Sequence, residues 1–372
     1  MKVCFVITSF SFFISHRHEL LKELALKHNV FLITDLSGVS PASIQEIEDQ
    51  NIELIHLPKR KKLTFKHFFK YLNGLRDAIQ KIDPDSVFLV TLELTLYGAI
   101  ISRLYNSKCK WNFIISGIGP FYDAPKLRYR LFKSILAINI KFVIDKNKST
   151  FIFQNRDNLQ LFIQNGLIKR INSTIIFGNG ISFLESNLTD CPTMPPRFCF
   201  VGRLAKSKGI VEFITASKMI NQTYPDIEFL VAGEFQVGSE DYCSVEFYDS
   251  IKKLPHIKFH GSLEHSQVSK IYQNGDVFVL PSYGEGLPKA ALQAASLSLP
   301  LILSDVPGCR ECIDNNGILV KHKNPESLKQ AMEEFINKPQ LINTMGEKSL
   351  AICSRKFSIE KIVKDFNKLI LR

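Results

Sequence analysis

Short apolar runs rich in Val, Ile and Phe alternate along the chain with longer segments whose apolar positions recur at helical spacing. In the first half these runs are VCFVIT (3–8), VFLIT (30–34), IELIHL (52–57), SVFLVT (86–91), WNFIIS (111–116), TFIFQN (150–155) and STIIF (173–177). Runs this short, without polar alternation, suit strands covered on both faces, and their alternation with helices is the pattern of βαβ units in a parallel sheet. After Gly178-Asn179-Gly180 and the Pro-rich segment CPTMPP (191–196) the pattern restarts with FCFVG (198–202), IEFLVAG (227–233), IKFHG (257–261), DVFVLP (276–281), LPLILS (299–304) and GILV (317–320). The reading is α/β with two doubly wound, Rossmann-like domains in series, 1–185 and 197–355, joined by a linker at 186–196. Residues 358–372 begin with SIEKIVKDFNKLIL, apolar at helical spacing, and are expected to form a last helix that crosses back onto the first domain.

Composition agrees with two cores. The chain has 372 residues, of which 45% are hydrophobic and 11% aromatic, so neither a single small module nor intrinsic disorder is tenable. The net charge of +11 is unevenly spread: residues 1–186 carry 25 Lys+Arg against 15 Asp+Glu, and the remainder 22 against 21. A basic first half favours an anionic partner. Two of its segments, KRKKLTFKHFFKYLNGL (59–75) and KLRYRLFKSILAINIKF (126–142), mix basic and aromatic residues at helical spacing, and at least one of the two is expected to touch an anionic membrane surface. Nucleic acid is the weaker partner, since the Phe residues fall at core spacing and no zinc-finger or helix-turn-helix pattern is present.

The N-terminal apolar run lacks a small-residue cleavage site and breaks at His16-Arg17-His18, so it reads as a buried strand, not a signal peptide. No uncharged apolar stretch approaches the roughly 18 to 20 residues that span a bilayer. The eight Cys mostly sit in apolar runs, which fits a reducing compartment. Cys309 and Cys312 form a Cys-x-x-Cys without a second ligand pair, and Asp83-Pro84-Asp85 is better explained as a turn than as a metal site. No metal and no cofactor are expected.

Chemistry concentrates in the second half. In FVGRLAKSKGIVEF (200–213) a strand ends at Gly202, and Arg203 and Lys208 precede a helix opened by Gly209. A glycine turn with two cations at a helix start suits a diphosphate. In LPSYGEGLPKAALQAAS (280–296) the turn Ser282, Gly284, Gly286 holds Glu285 just ahead of a helix expected near Leu287-Pro288, where a carboxylate is favoured. Both segments lie past the carboxyl ends of strands, where ligands of doubly wound sheets bind, and are expected to face one crevice.

Gly202-Arg203-Leu204 with Lys208-Gly209, Pro281-Ser282-x-x-Glu285-Gly286-Leu287-Pro288, Asp305-Val306-Pro307-Gly308-Cys309-Arg310-Glu311 and Asn316-Gly317-Ile318-Leu319-Val320 together resemble the nucleotide-sugar domain of the large retaining glycosyltransferase family of GT-B fold, which includes bacterial capsule and O-antigen transferases. Gly117-Ile118-Gly119-Pro120, Phe153-Gln154-Asn155 and Gly178-Asn179-Gly180-Ile181 resemble segments of its polysaccharide-assembly members. The resemblance implies two domains facing a central cleft. It implies that Arg203 and Lys208 hold the donor diphosphate, that Glu285 contacts the donor sugar, and that Gly202, Glu234, Gly284, Gly286, Leu287 and Gln293 complete the nucleotide site. Gln293 stands where the family usually has a second Glu that binds the ribose. His16, after the first strand, is the first-domain candidate for proton transfer.

The implied activity is retaining, metal-independent transfer of a hexosyl or N-acetylhexosaminyl group from a nucleotide sugar, UDP-linked by resemblance. The acceptor would be a polyprenyl-diphosphate-linked glycan, met at the cytoplasmic face of the membrane during O-antigen or capsule synthesis. Two other classes stay open: a nucleotide-sugar epimerase, which needs acid/base carboxylates around the sugar, and a non-catalytic nucleotide-sugar binder, which the Gln293 departure suggests.

Overall fold

The computed structural model describes residues 1–58, 64–104, 109–117, 134, 137–138, 140, 149–183, 194–235 and 241–371. The chain forms two compact units, Met1–Gly180 together with Ile359–Arg372, and Ile181–Ser358. Residues 186–193 of the expected linker lie outside the described residues, as does nearly all of the basic segment 126–142.

The first unit is built on strands β1 (Lys2–Val6), β2 (Asn29–Thr34), β3 (Ile52–His56), β4 (Ser86–Val90), β5 (Lys110–Ile115), β6 (Ser149–Phe153) and β7 (Ser173–Ile175), in the order β3-β2-β1-β4-β5-β6-β7. Every pairing among them is parallel. Each predicted apolar run is one of these strands, displaced by a residue or two at its ends. The pleat sends neighbouring side chains to opposite faces. Val3, Phe5, Phe88 and Val90 therefore enter one core, while Cys4, Val6, Val87 and Leu89 enter the other. Helices α4 (Phe65–Ile82), α5 (Leu92–Leu104) and α6 (Arg156–Gln164) supply Leu72, Leu75, Ile79, Leu94, Tyr97, Leu159 and Phe162 to the second of these cores.

The opposite face is covered by α1 (Phe10–His16), α2 (His18–Ala25), α3 (Pro41–Glu48) and the last helix of the chain, Ile359–Leu371. As expected, that last helix belongs to the first unit. Ile359, Ile362, Phe366, Leu369 and Ile370 are buried on it, and the Phe366 ring lies 6.1 Å from Phe5 and 5.5 Å from Phe88. His28 Nε2 and Asn367 Oδ1 are bonded at 2.7 Å, fixing its register against α2.

Asp83 and Asp85 serve a turn, as read from sequence. Asp83 ends α4 in a left-handed conformation (φ 47°), and the Asp85 carboxylate accepts from the Lys2 amide at 2.8 Å. Among the described residues no helix is long and apolar enough to cross a membrane.

The second unit repeats the scheme with β8 (Phe198–Val201), β9 (Phe229–Ala232), β10 (Ile257–Gly261), β11 (Val277–Leu280), β12 (Leu301–Ser304) and β13 (Gly317–Val320), all parallel, in the order β10-β9-β8-β11-β12-β13. Helices α7 (Ile210–Thr223), α8 (Val245–Lys252), α9 (His265–Gln273) and α10 (Lys289–Ser296) connect these strands, and α11 (Pro325–Asn337) and α12 (Gln340–Ile352) follow. The final helix, Ile359–Leu371, is α13. In both sheets the chain runs outward from the first strand and then reverses past it, so the switch points lie between β1 and β4 and between β8 and β11.

Truncating a large aromatic in the seam under α13 tests this packing. Phe366→Ala is expected to lower unfolding stability by about 3–5 kcal/mol, read from the denaturation midpoint at constant m. An unchanged midpoint would mean that α13 is not held by this core.

Candidate active site

At the carboxyl end of β8 the chain passes through Gly202 and Arg203 into one tight turn, Lys206–Lys208, and then into α7. Gly209 makes that junction with φ 75°, where a side chain is disfavoured, and a Cβ there would collide with the Pro281 carbonyl. The Lys206–Lys208 turn is thereby laid directly on the segment leaving β11. A backbone bond from Tyr283 N to Ser207 O, 2.8 Å, joins the two.

That contact brings charges together. Lys208 Nζ donates to Glu285 Oε1 at 2.6 Å, and Ser282 Oγ donates to the same oxygen at 2.8 Å. The side chains of Lys208 and Glu285 are 23% and 10% exposed, so the pair is largely withdrawn from water. Both donors converge on Oε1. Glu285 Oε2 accepts no hydrogen bond among the described residues. Burial pushes the Cys309 thiol well above its usual range, and the negative charge of Glu285 adds to the shift, which places that carboxylate beside the segment after β12. Gly308 in this segment has φ 82°, and a Cβ on it would meet the carbonyls of Glu285 and Gly286. Three loops, following β8, β11 and β12, thus share one small volume.

Sequence reading expected Glu285 to be stabilised by the start of the next helix. The helix start is where it was expected, α10 beginning at Lys289 behind Pro288, and the carboxylate itself turns to Lys208 and Ser282. A full opposite charge at contact outweighs the partial charge of a helix end.

Arg203 is exposed, with its guanidinium 5.9 Å from the centre of the Tyr242 ring. Its side chain makes no hydrogen bond or ion pair among the described residues. All of its side-chain donors are available to a ligand. Glu234 is exposed past β9, and its carbonyl accepts from Leu204 N at 2.8 Å, which ties this loop to the one carrying Arg203. Gly284 stands in open space, Gly286 and Leu287 are half-buried, and Gln293 is half-buried on α10 with no hydrogen bond from its amide among the described residues.

His16 belongs to the first unit. It is exposed at the end of α1, stacked 4.4 Å over Phe12 and bonded to Ser15 Oγ at 2.6 Å. Cys309 and Cys312 are both buried, with thiols pushed far above their usual range, which leaves them little thiolate character.

Two supports were not read from the sequence. Asp241 clamps the lysine turn, accepting from Ser207 N at 3.0 Å and Ser207 Oγ at 2.6 Å, while its carbonyl takes Lys206 N at 2.7 Å. On the other side Tyr283 donates to Glu212 Oε1 at 2.7 Å, and burial together with that carboxylate pushes the phenol above its usual range. Asp241 lies in a segment with no periodicity, so no local signal pointed to it.

The arrangement offers a guanidinium without a hydrogen bond, a lysine with unused protons and a carboxylate oxygen open to hydroxyl donors on loops beyond strand ends, and an unbonded amide on α10. It is suited to a ligand that carries both phosphate and sugar hydroxyls. Comparison with known proteins agrees with this chemistry. Residues 2–155 match the model of the glycosyl transferase 4-like family, and residues 185–351 that of glycosyl transferases group 1.

The chain belongs to the glycosyltransferases of GT-B fold.

A glycosyltransferase of Methanocaldococcus jannaschii is 25% identical over 334 residues, 88% of this chain and 87% of its own. The N,N'-diacetylbacillosaminyl-diphospho-undecaprenol alpha-1,3-N-acetylgalactosaminyltransferase of Campylobacter jejuni is 24% identical over 299 residues, 75% of this chain and 74% of its own. Among solved structures, Anabaena HepE in complex with UDP superposes with a TM-score of 0.79 at 16% identity, covering all of this chain and 99% of its own. Family membership leaves the epimerase reading without support.

In this glycosyltransferase the glycine seam is the feature most exposed to test. Gly308→Ala is expected to displace Glu285 and to cut nucleotide-sugar turnover by at least about tenfold while the unfolding midpoint falls only modestly. Full turnover in Gly308→Ala would show that the position of Glu285 does not depend on this contact.

Proposed function

We propose that this glycosyltransferase moves a hexosyl or N-acetylhexosaminyl group from a UDP-sugar to a polyprenyl-diphosphate-linked glycan in surface-polysaccharide synthesis, with retention at the anomeric carbon and without a metal. The observation that carries the reading is the Lys208–Glu285 pair at 2.6 Å with Glu285 Oε2 and the whole Arg203 guanidinium left over for a ligand. Arg203 and Lys208 then hold the donor diphosphate, and Glu285 Oε2 accepts from sugar hydroxyls. Lys208 bridges the two halves of the donor. Gln293 offers its amide to the ribose, with Gly202, Glu234, Gly284, Gly286 and Leu287 forming the backbone around the nucleotide.

In the transfer the bond from the anomeric carbon to the diphosphate oxygen breaks as an acceptor hydroxyl approaches the same face. Its proton passes to the departing phosphate, so no dedicated base is obligatory. His16 is the side chain proposed to assist from the first unit. The cations act by stabilising charge that builds on the leaving group, where fixed donors are most effective. The C. jejuni relative, whose name specifies a diphospho-undecaprenol acceptor, supports the choice of acceptor class. The basic first half and the exposed Lys66, Phe69 and Lys70 on α4 support a peripheral place on the cytoplasmic face of the membrane. A non-catalytic binder is the second reading, favoured only by Gln293; it wins if Gln293→Glu transfers sugar and the native protein does not.

Arg203→Ala is expected to weaken UDP binding by about 1.5–3 kcal/mol, roughly 10- to 150-fold by calorimetry, because hydrogen bonds to charged phosphate are lost. Equal affinity removes Arg203 from the diphosphate site. Binding to vesicles of anionic lipid is expected to fall as salt rises past about 0.15 M, as screening weakens Lys and Arg attraction. Salt-insensitive binding would point to apolar insertion instead.

A further inference from the structure

Arg17, at the junction of α1 and α2, is 1% exposed and ranks with Trp111 among the bulkiest buried side chains. Two other buried charges in the described residues face a counter-ion, Asp276 with Arg197 and Glu311 with Lys356, while Glu212 holds the Tyr283 hydroxyl on one oxygen only. Arg17 has no counter-ion among the described residues. With the Gln154 amide turned so that its nitrogen donates to Ser116 O at 2.9 Å, its oxygen accepts from Arg17 Nη2 at 3.3 Å. Nε and Nη1 have no acceptor among the described residues. Burial pulls the group down to about 9, with no charged neighbour contributing, so it stays cationic at neutral pH.

An isolated buried guanidinium is costly, by several kcal/mol, and natural sequences retain one where something else compensates it. Its surroundings say what. Ser116 and Gln154 are the first residues beyond the carboxyl ends of β5 and β6, the rim where doubly wound sheets receive ligands. Nε with Nη2 and Nη1 with Nη2 are the two edges of a guanidinium; Gln154 meets Nη2 alone, so the edge turned away from it keeps two donors, which match two oxygens of a phosphoryl group.

We propose that Arg17, oriented by Gln154, is an anion-recognition residue of the first unit that takes a phosphoryl group of the lipid-diphosphate acceptor through the guanidinium edge that Gln154 leaves open. This rests on the acceptor class proposed above and names the side chain that reads it. Nε and Nη1 are covered, so engagement proceeds by rotation about the side chain's own χ angles. His16, its exposed neighbour, is not needed for this step.

The proposal makes an unusual demand on stability. A structural arginine destabilises when removed, whereas a buried cation kept for a ligand leaves the fold as stable or more stable when replaced by an apolar chain of similar length. The test uses the full chain saturated with UDP, with farnesyl diphosphate, inorganic diphosphate and farnesol as probes in equilibrium dialysis. The native protein is expected to bind farnesyl diphosphate but not farnesol, with inorganic diphosphate competing. Arg17→Met is expected to lose at least about tenfold in farnesyl diphosphate affinity, with UDP affinity unchanged and the melting temperature unchanged or raised. Arg17→Lys keeps the charge without the fork and is expected to fall between the two. Equal farnesyl diphosphate affinity in native and Arg17→Met protein overturns the proposal, as does native protein that ignores the diphosphate. If Arg17→Met does not fold, Arg17→Lys decides, and undiminished affinity in it overturns the proposal equally. None of these readings depends on turnover, so a failure of sugar transfer in the native protein sinks the proposed reaction and leaves the Arg17 result separate.

Discussion

Lys208 and Glu285 come from loops 77 residues apart and meet at 2.6 Å, largely out of water. They do so because the chain has no side chain at Gly209, where the turn rests on the Pro281 carbonyl, nor at Gly308, where the next loop rests on Glu285 and Gly286. Backbone sterics thus set the electrostatics. Once the loops are pressed together, the carboxylate finds a cation and a hydroxyl on one oxygen and keeps the other for a ligand. Outside the pair, the Arg203 guanidinium rests near the Tyr242 ring with no hydrogen bond or ion pair among the described residues.

The parallel sheets explain why this meeting falls where it does. In a doubly wound sheet every strand delivers its following loop to one edge, so residues distant in sequence gather there without any special device. The second unit uses the loops after β8, β11 and β12; the first gathers Ser116 and Gln154 at the corresponding rim, with Arg17 against them. The rim cations are held differently: Lys208 is paired with Glu285, whereas the Arg203 guanidinium has no ion pair and Arg17 meets only the Gln154 amide among the described residues. A site that must accept an anion is better served by cations with unused donors than by cations already neutralised.

Much of this was legible in the sequence. Parallel strands buried on both faces leave continuous apolar runs, so all thirteen strands could be placed from pattern alone, and the helical spacing of Ile359, Ile362, Phe366 and Leu369 disclosed α13. The residues past β8 and β11 stood out because glycine, cations and a carboxylate cluster there. What stayed hidden depends on distance in space. Asp241 sits in an aperiodic segment and matters only because the fold lays it over Ser207. Arg17 reads as an ordinary helix residue; its isolation appears only when burial shows that no carboxylate accompanies it. Glu285 could be placed ahead of a helix start, but local order could not reveal Lys208 as its partner.

The account stands on the loops of the second unit gripping a nucleoside diphosphate. A crystal structure of the protein with UDP tests this most directly. The account predicts diphosphate oxygens within about 3 Å of both the Arg203 guanidinium and Lys208 Nζ, with Glu285 still bonded to Ser282. A diphosphate seated elsewhere, with Arg203 still turned to Tyr242 and Lys208 untouched, would contradict it.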